Sequence, residues 1–312
     1  MNPVVTVTGL TKRYGHTTAL DNVSFTLAEN TIHGLLGRNG AGKTTLMQIL
    51  TGQNFASSGE LSVFGQHPYE NSGVLTGLCF IKESQTYPQP FQVRHALEAA
   101  SLLFPHWDGD FASALVDDFQ LPPRRQVRKL SRGMLSALGV IIGLAARAPL
   151  TFFDEPYLGL DATARQIFYD RLLTDYAEHP RTIVLSTHLI DEVSNLIEHV
   201  LLIDQGRILL DESADVLRTE LVTVSGSLDA LERLGTRAEE LHRERMGNLV
   251  RVTLRGAFAP ADRERAAALG LDLAPVALQE LVVRLTSTAN GADHVRDQGK
   301  GNVRTADKGD VR

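Results

Sequence analysis

Cysteine is almost absent from this 312-residue chain. The lone Cys79 excludes an intrachain disulfide and a cysteine-based zinc cluster, and it fits a reducing compartment and a place in a core. Positive charge is not in excess either. With 31 basic against 37 acidic residues the net charge is -6, so no global attraction to nucleic acid or anionic lipid exists and no nucleic-acid partner is expected. The most apolar stretch, Leu138 to Phe153, is broken by Arg147 and Pro149 and falls short of the ~20 residues a spanning helix needs. The opening Met1 to Val5 has neither the basic segment nor the apolar run of a secretory signal. The expected location is cytoplasmic, with any membrane role passing through a partner. An apolar fraction of 43% is still enough for a substantial core.

What the chain does carry is Gly37-Arg38-Asn39-Gly40-Ala41-Gly42-Lys43-Thr44, which fits the phosphate-binding pattern G-x-x-x-x-G-K-[ST] at every required position. Thr31 to Leu36 before it reads as a buried strand, and Thr45 to Leu50 after it as a helix with an apolar face. Glycines let the loop backbone wrap around phosphate oxygens, and the helix start offers unpaired N–H groups and a favourable dipole. In that context Lys43 reaches the β- and γ-phosphates, and the Thr44 hydroxyl supplies a hard oxygen ligand for Mg²⁺.

The flanking segments describe an α/β protein. Val4 to Thr8 and Ser24 to Leu27 alternate apolar and polar residues around a turn at Tyr14-Gly15, an antiparallel β element. Gly59 to Gly65 and Leu78 to Ile81 read as short strands. Residues 85–129 hold prolines at 88, 90, 105, 122 and 123 and two amphipathic stretches, Val93 to Phe104 and Phe111 to Phe119, which suits an inserted helical lobe. Parallel-sheet texture returns at Leu150 to Phe153 and Thr182 to Ser186, separated by the helical pattern Ala162 to Glu178. A closing hairpin, Val200 to Asp204 and Arg207 to Leu210, ends this domain near Ser213. Residues 214–287, with a strand at Val250 to Leu254 and helices at Pro260 to Leu269 and Ala277 to Leu285, form a small α+β appendage. Residues 288–312 are too polar to offset their ordering entropy and read as a disordered tail.

Asp154 and Glu155 follow the apolar strand Leu150 to Phe153, placing two carboxylates at the carboxyl edge of a parallel sheet, where such sheets bind ligands. Asp154 suits a Mg²⁺ ligand, and Glu155 suits the group that orients, or takes a proton from, the water attacking a γ-phosphate. Taken alone, Leu130-Ser131-Arg132-Gly133 is an ordinary helix N-cap, His188 a structural hydrogen-bonder after a strand, and Asp161 the cap of the following helix.

Taken in order, Gly37 to Thr44, Leu130-Ser131-Arg132-Gly133-Met134, Phe152-Phe153-Asp154-Glu155-Pro156, Gly159-Leu160-Asp161 and Thr187-His188 resemble the ABC-type ATPases over roughly residues 4–213. The resemblance implies an ATP- and Mg²⁺-dependent ATPase with a P-loop NTPase core, working as a head-to-tail dimer, expected to be a homodimer. In it, each ATP lies between the loop of one subunit, including Gly37, Asn39, Gly40, Ala41, Gly42, Lys43, Thr44 and Thr45, and Ser131 and Gly133 of the other. It implies that His188 contacts the γ-phosphate, that Asp161 sits at the dimer interface, and that Tyr14 stacks on adenine.

Two departures from that pattern stand out. Where a glutamine usually ends the strand entering the helical lobe, the chain reads Phe80-Ile81-Lys82-Glu83-Ser84-Gln85, leaving Glu83 and Gln85 as alternatives, with Glu83 favoured by alignment as a Mg²⁺ ligand. Arg132 and Met134 stand where glycine and glutamine are common, while the serine and second glycine are kept. The function implied is the motor of a transporter whose integral-membrane permease is a separate chain, located peripherally on the inner face of the membrane. Export is favoured because Val276 to Thr286 resembles the closing helix of ATPases serving exporters. A mechanical regulator of a membrane partner and a soluble ABC ATPase are the alternatives.

Overall fold

The computed structural model describes residues 3–82, 85–235, 238–256, 260–283 and 285–286. The chain divides into two compact units, one through Leu217 and one from Arg218.

The first unit opens with β1 (Pro3–Tyr14) and β2 (Thr17–Ala28), an antiparallel pair turning at Gly15-His16. Both strands run longer than the alternation in sequence suggests. Gly9, at φ +61°, accompanies a register shift between Val7 and Leu10, so a glycine that reads as a strand end is a bulge within one. Next come β3 (Ile32–Leu36), α1 (Lys43–Leu50), β4 (Ser58–Val63), α2 (Ser72–Leu75) and β5 (Leu78–Ile81). The lobe contributes α3 (Val93–Leu103) and α4 (Gly109–Asp118), and α5 (Arg132–Ala145) leads back into the sheet. The unit continues with β6 (Leu150–Asp154), α6 (Ala162–Glu178), β7 (Thr182–Thr187), α7 (Ile190–Val193), β8 (His199–Asp204) and β9 (Arg207–Ser213).

The main sheet has the order β5-β6-β7-β3-β8-β9, parallel except for β9, while β2-β1-β4 form a separate antiparallel sheet. Every residue of β3, β6 and β7 is buried, as expected for central strands covered on both faces. Helix α5 is buried from Ala137 to Ala145, and glycine is what lets it lie so close to the sheet: a Cβ at Gly143 would sit 2.4 Å from the Phe153 ring. Asp108 and Asp161 cap α4 and α6, accepting hydrogen bonds from Phe111 N and Ala164 N at 2.8 Å each.

At the amino edge of this sheet, Asp175 of α6 is buried between two guanidinium groups. Arg147, in the loop before β6, and Arg181, just before β7, each lie 2.7 Å from it. Arg147 also reaches Asp108 at 2.8 Å, which ties the cap of α4 to the same cluster.

After α8 (Ala214–Glu220), β10 (Leu221–Ser227), α9 (Leu228–Leu234), β11 (Glu239–Met246), β12 (Leu249–Arg255), α10 (Pro260–Ala268) and β13 (Asp272–Pro275) follow. Their βαββαβ order and the antiparallel sheet β11-β12-β10-β13 make a ferredoxin-like split-βαβ arrangement. Val222 and Val224 on β10 and Val250, Val252 and Leu254 on β12 share one face and pack with Ala230, Leu234 and Ala266 from the helices. The strand at Val250 to Leu254 and the helix from Pro260 are legible in sequence; β10, α9 and β11 are not. Residues 278–283 are helical, and residues 288–312, expected to be disordered, lie outside the described residues.

Candidate active site

The buried strand β3 delivers the chain to Gly37, and two glycines of the loop are sterically required. A Cβ at Gly37 would lie 2.2 Å from Ile203 O, and at Gly42, with φ +111°, it would lie 2.7 Å from Ala19 O. Gly42 is the N-cap of α1 and, having no side chain, offers no capping acceptor to the first-turn N–H groups. Those groups suit an anion. Lys43 is buried and donates to Gly37 O at 2.7 Å and Arg38 O at 3.3 Å, so its ammonium is held across its own loop.

The carboxylates arrive from β6, two strands away across the sheet from β3. Thr44 Oγ1 donates to Asp154 Oδ2 at 2.7 Å, joining the loop to the strand end. Burial pushes the Asp154 pKa up, and the hydrogen bond from Thr44 works against that rise. Glu155 follows in a left-handed conformation, φ +51°, which turns its side chain back over the strand end. Its Oε1 lies 3.6 Å from Lys43 Nζ, and its Oε2 lies 2.8 Å from His188 Nδ1 at the end of β7. Tyr157 donates to the same Oε2 at 2.6 Å and also meets Thr187 Oγ1.

Three adjacent strands of the order β6-β7-β3 therefore deliver their functional groups to one carboxyl edge. The cavity there measures about 560 Å³. Asn39, Gly40, Ala41, Gly42, Lys43, Thr44 and Thr45 line it, together with Asp154, Glu155 and His188. So do Ala19, Arg38, Arg132 and Leu158, which sequence reasoning did not assign to it. Its chemistry is that of a phosphate site: a buried ammonium and helix N–H groups for the anion, hard oxygens at Thr44 and Asp154, and a carboxylate beside them. Among the described residues no three histidine, cysteine or acidic side chains cluster as a metal site. A cation held here by Thr44 and Asp154 would take its other ligands from phosphate and water, as Mg²⁺ commonly does.

Other sequence-predicted residues fall elsewhere. Ser131 caps α5, accepting from Met134 N at 3.3 Å, and Gly133 packs so closely on the 155–161 turn that a Cβ would lie 2.4 Å from Gly159 O. Neither lines the cavity of its own chain, although Arg132 between them does. Asp161 caps α6. Tyr14 stands outside the cavity lining, half exposed, its ring 4.7 Å from Lys12 Nζ and its hydroxyl accepting from Asn54 Nδ2 at 2.5 Å. Glu83 lies outside the described residues. Gln85 is half-buried, and its Oε1 has no hydrogen-bond partner among the described residues. Tyr157, beside the cavity, is a further residue sequence reasoning missed, because nothing in Pro156-Tyr157-Leu158 marks which buried group its hydroxyl meets.

A family model described as ABC transporter matches residues 20–158. The chain is 31% identical over 242 residues to the Nod factor export ATP-binding protein I of Ralstonia nicotianae, spanning 75% of this chain and 73% of that protein. It is also 31% identical over 230 residues to the aliphatic sulfonates import ATP-binding protein SsuB of Burkholderia ambifaria, spanning 73% and 69%. A solved structure of an ATP binding subunit of an ABC transporter shares the fold, with TM-score 0.63 and 22% identity over 69% of this chain and 92% of that one. The chain belongs to the ABC transporter family, as an ATP-binding protein. Cassettes of this family are ATPases and bind ATP. ATP-binding subunits of the family dimerise and work with membrane permeases. No described helix is long and apolar enough to cross a membrane.

Proposed function

We propose that this chain is the ATP-hydrolysing subunit that powers export through a separate membrane permease, sitting peripherally on the inner face of the membrane. The observation that carries the reading is the convergence of Lys43, Thr44, Asp154, Glu155 and His188 on one cavity at the carboxyl edge of the sheet. The loop N–H groups and Lys43 hold the phosphates, and their positive charge stabilises the charge that spreads over the transferred phosphoryl group. Thr44 and Asp154 hold Mg²⁺, which supplies further charge neutralisation. Glu155 Oε1 takes the proton of the attacking water, and His188 orients the carboxylate through Oε2 and lies against the γ-phosphate.

Ser131 and Gly133 complete the site of a second subunit in a homodimer. Their absence from the cavity lining of their own chain supports that role, and the N-cap of α5 gives them the geometry for an anion. Export rather than import is supported by the resemblance of Val276 to Thr286 to the closing helix of exporter ATPases; relatives named for either direction are equally similar in identity. The division of the chain at Leu217 supports reading the C-terminal α+β unit as an accessory domain.

The test has two arms. Lys43→Ala and Ser131→Ala subunits, each inactive alone, are expected to hydrolyse ATP when mixed, since a mixed dimer keeps one intact pair of half-sites; a mixture as inactive as either variant contradicts shared sites. Tagged wild-type protein drawn from solubilised membranes is expected to bring with it an integral protein of about six spanning helices, a number typical of a transporter half rather than of a single anchor. Recovery without any membrane protein contradicts the motor role.

A further inference from the structure

We propose that Tyr157 is a positioning residue for hydrolysis, its hydroxyl locking the Glu155 carboxylate in the one orientation that leaves Oε1 to the attacking water. The inference rests on reading Glu155 as the proton acceptor and goes on to name what aims it. Tyr157 is only 2% exposed, and its hydroxyl lies 2.6 Å from Glu155 Oε2. Burial and the neighbouring carboxylate push the phenol pKa far above its ordinary value, so the group stays a donor.

The proton inventory of this cluster has a single consistent solution. Leu189 N donates to Thr187 Oγ1 at 2.8 Å, which leaves the threonine proton free for the Tyr157 oxygen it meets. The Tyr157 proton then goes to Glu155 Oε2, where His188 Nδ1, 2.8 Å away, also donates. Oε2 thus has two donors, Tyr157 and His188. Oε1, buried, has no hydrogen-bond partner among the described residues and lies 3.6 Å from Lys43 Nζ. A buried carboxylate oxygen without a donor is costly, and a carboxylate free to turn would swing that oxygen toward a donor. The pair of donors on Oε2 holds the group against that rotation. The turn that carries Tyr157 is itself fixed: Leu158 N donates to Glu155 O at 3.1 Å, and Glu155 N donates to Ser186 O at 3.1 Å. A relay from the backbone after β7 through Thr187 and Tyr157 therefore sets the aim of the carboxylate that follows β6.

The test is the steady-state kinetics of Mg-ATP hydrolysis in Tyr157→Phe, Tyr157→Leu, Glu155→Gln and the Tyr157→Phe/Glu155→Gln double variant. Phe keeps the buried ring and removes one oxygen. In Tyr157→Phe kcat is expected to fall about tenfold, in the range for losing a hydrogen bond to a charged group, with KM for ATP within about twofold and the protein still folded at the assay temperature. Tyr157→Leu should lose at least as much, and Tyr157→Phe should cost nothing further once Glu155 is Gln. Wild-type kcat in Tyr157→Phe, beside a defective Tyr157→Leu, would show that only the ring matters and overturn the positioning role while leaving Glu155 in place. Wild-type turnover in Glu155→Gln would remove Glu155 as the acceptor, and the inference with it.

Discussion

The two edges of the parallel sheet each bury a carboxylate beside cations and treat it in opposite ways. At the amino edge Asp175 is enclosed by Arg147 and Arg181, each 2.7 Å away, and both cations come from loops that enter adjacent strands. At the carboxyl edge Glu155 has both donors on one oxygen, and its other oxygen stands 3.6 Å from Lys43. A carboxylate paired with a guanidinium at each oxygen fastens elements together; one held by a single oxygen suits the role proposed for Glu155. Charge alone does not separate the two roles, because both sites pair acids with bases. What separates them is how closely a cation meets each oxygen: a guanidinium lies 2.7 Å from both oxygens of Asp175, whereas Glu155 Oε1 has only an ammonium 3.6 Å away.

That contrast can be broken from the amino edge. Asp175→Ala leaves Arg181, 4% exposed, without its carboxylate and is expected to destabilise the first unit by about 3 kcal/mol, as removal of one partner of a buried ion pair commonly does. KM for ATP and kcat at a temperature below the transition should stay within about twofold. Denaturant titration and steady-state kinetics on the same preparation check both halves; a kinetic defect without a stability loss would erase the distinction between the edges.

A smaller effect sharpens the same comparison. His33, on β3 near the amino edge, is 1% exposed, donates through Nε2 to Ala28 O at 3.1 Å and meets the His199 ring at 5.4 Å between centroids. Burial pushes its pKa down to about 4, with Ala28, Glu198 and Asp211 opposing the shift and His199 adding to it. Between that value and the ordinary histidine pKa the unfolded chain binds a proton that the folded one refuses. The contribution is therefore complete above about pH 6.5 and is lost as pH falls toward 4, amounting to about 2 kcal/mol between pH 7.5 and 5. His33→Gln should flatten the stability profile over that window by about this amount, and parallel profiles would contradict the assignment.

Much of the candidate site was legible in the sequence because its parts are contiguous. Lys43 and Thr44 occupy fixed places in a glycine-spaced loop, and Asp154 and Glu155 end an apolar strand whose edge is known from its texture. Residues defined by tertiary partners were not legible. Asp175 reads as one more polar position on α6, and only the folding of two distant loops reveals it as buried. Tyr157 reads as an aromatic in a turn, and Arg132 as a substitution in a helix start. In the second unit Val250 to Leu254 shows its alternation, but β11, Glu-Glu-Leu-His-Arg-Glu-Arg-Met, carries the charges of an edge strand and hides its β character. The ferredoxin-like order follows only once β10 and β11 are placed.

Whether Glu155 serves the reaction rather than the fold is decided by turnover of Mg-ATP in purified Glu155→Gln. The substitution keeps the shape of the side chain and removes its ability to take a proton. The expected result is a fall in kcat of about a thousandfold, in the range for loss of a general base, with ATP still bound, the dimer retained and stability not reduced. Turnover near the wild-type rate, or a protein that unfolds as readily as Asp175→Ala, would contradict it.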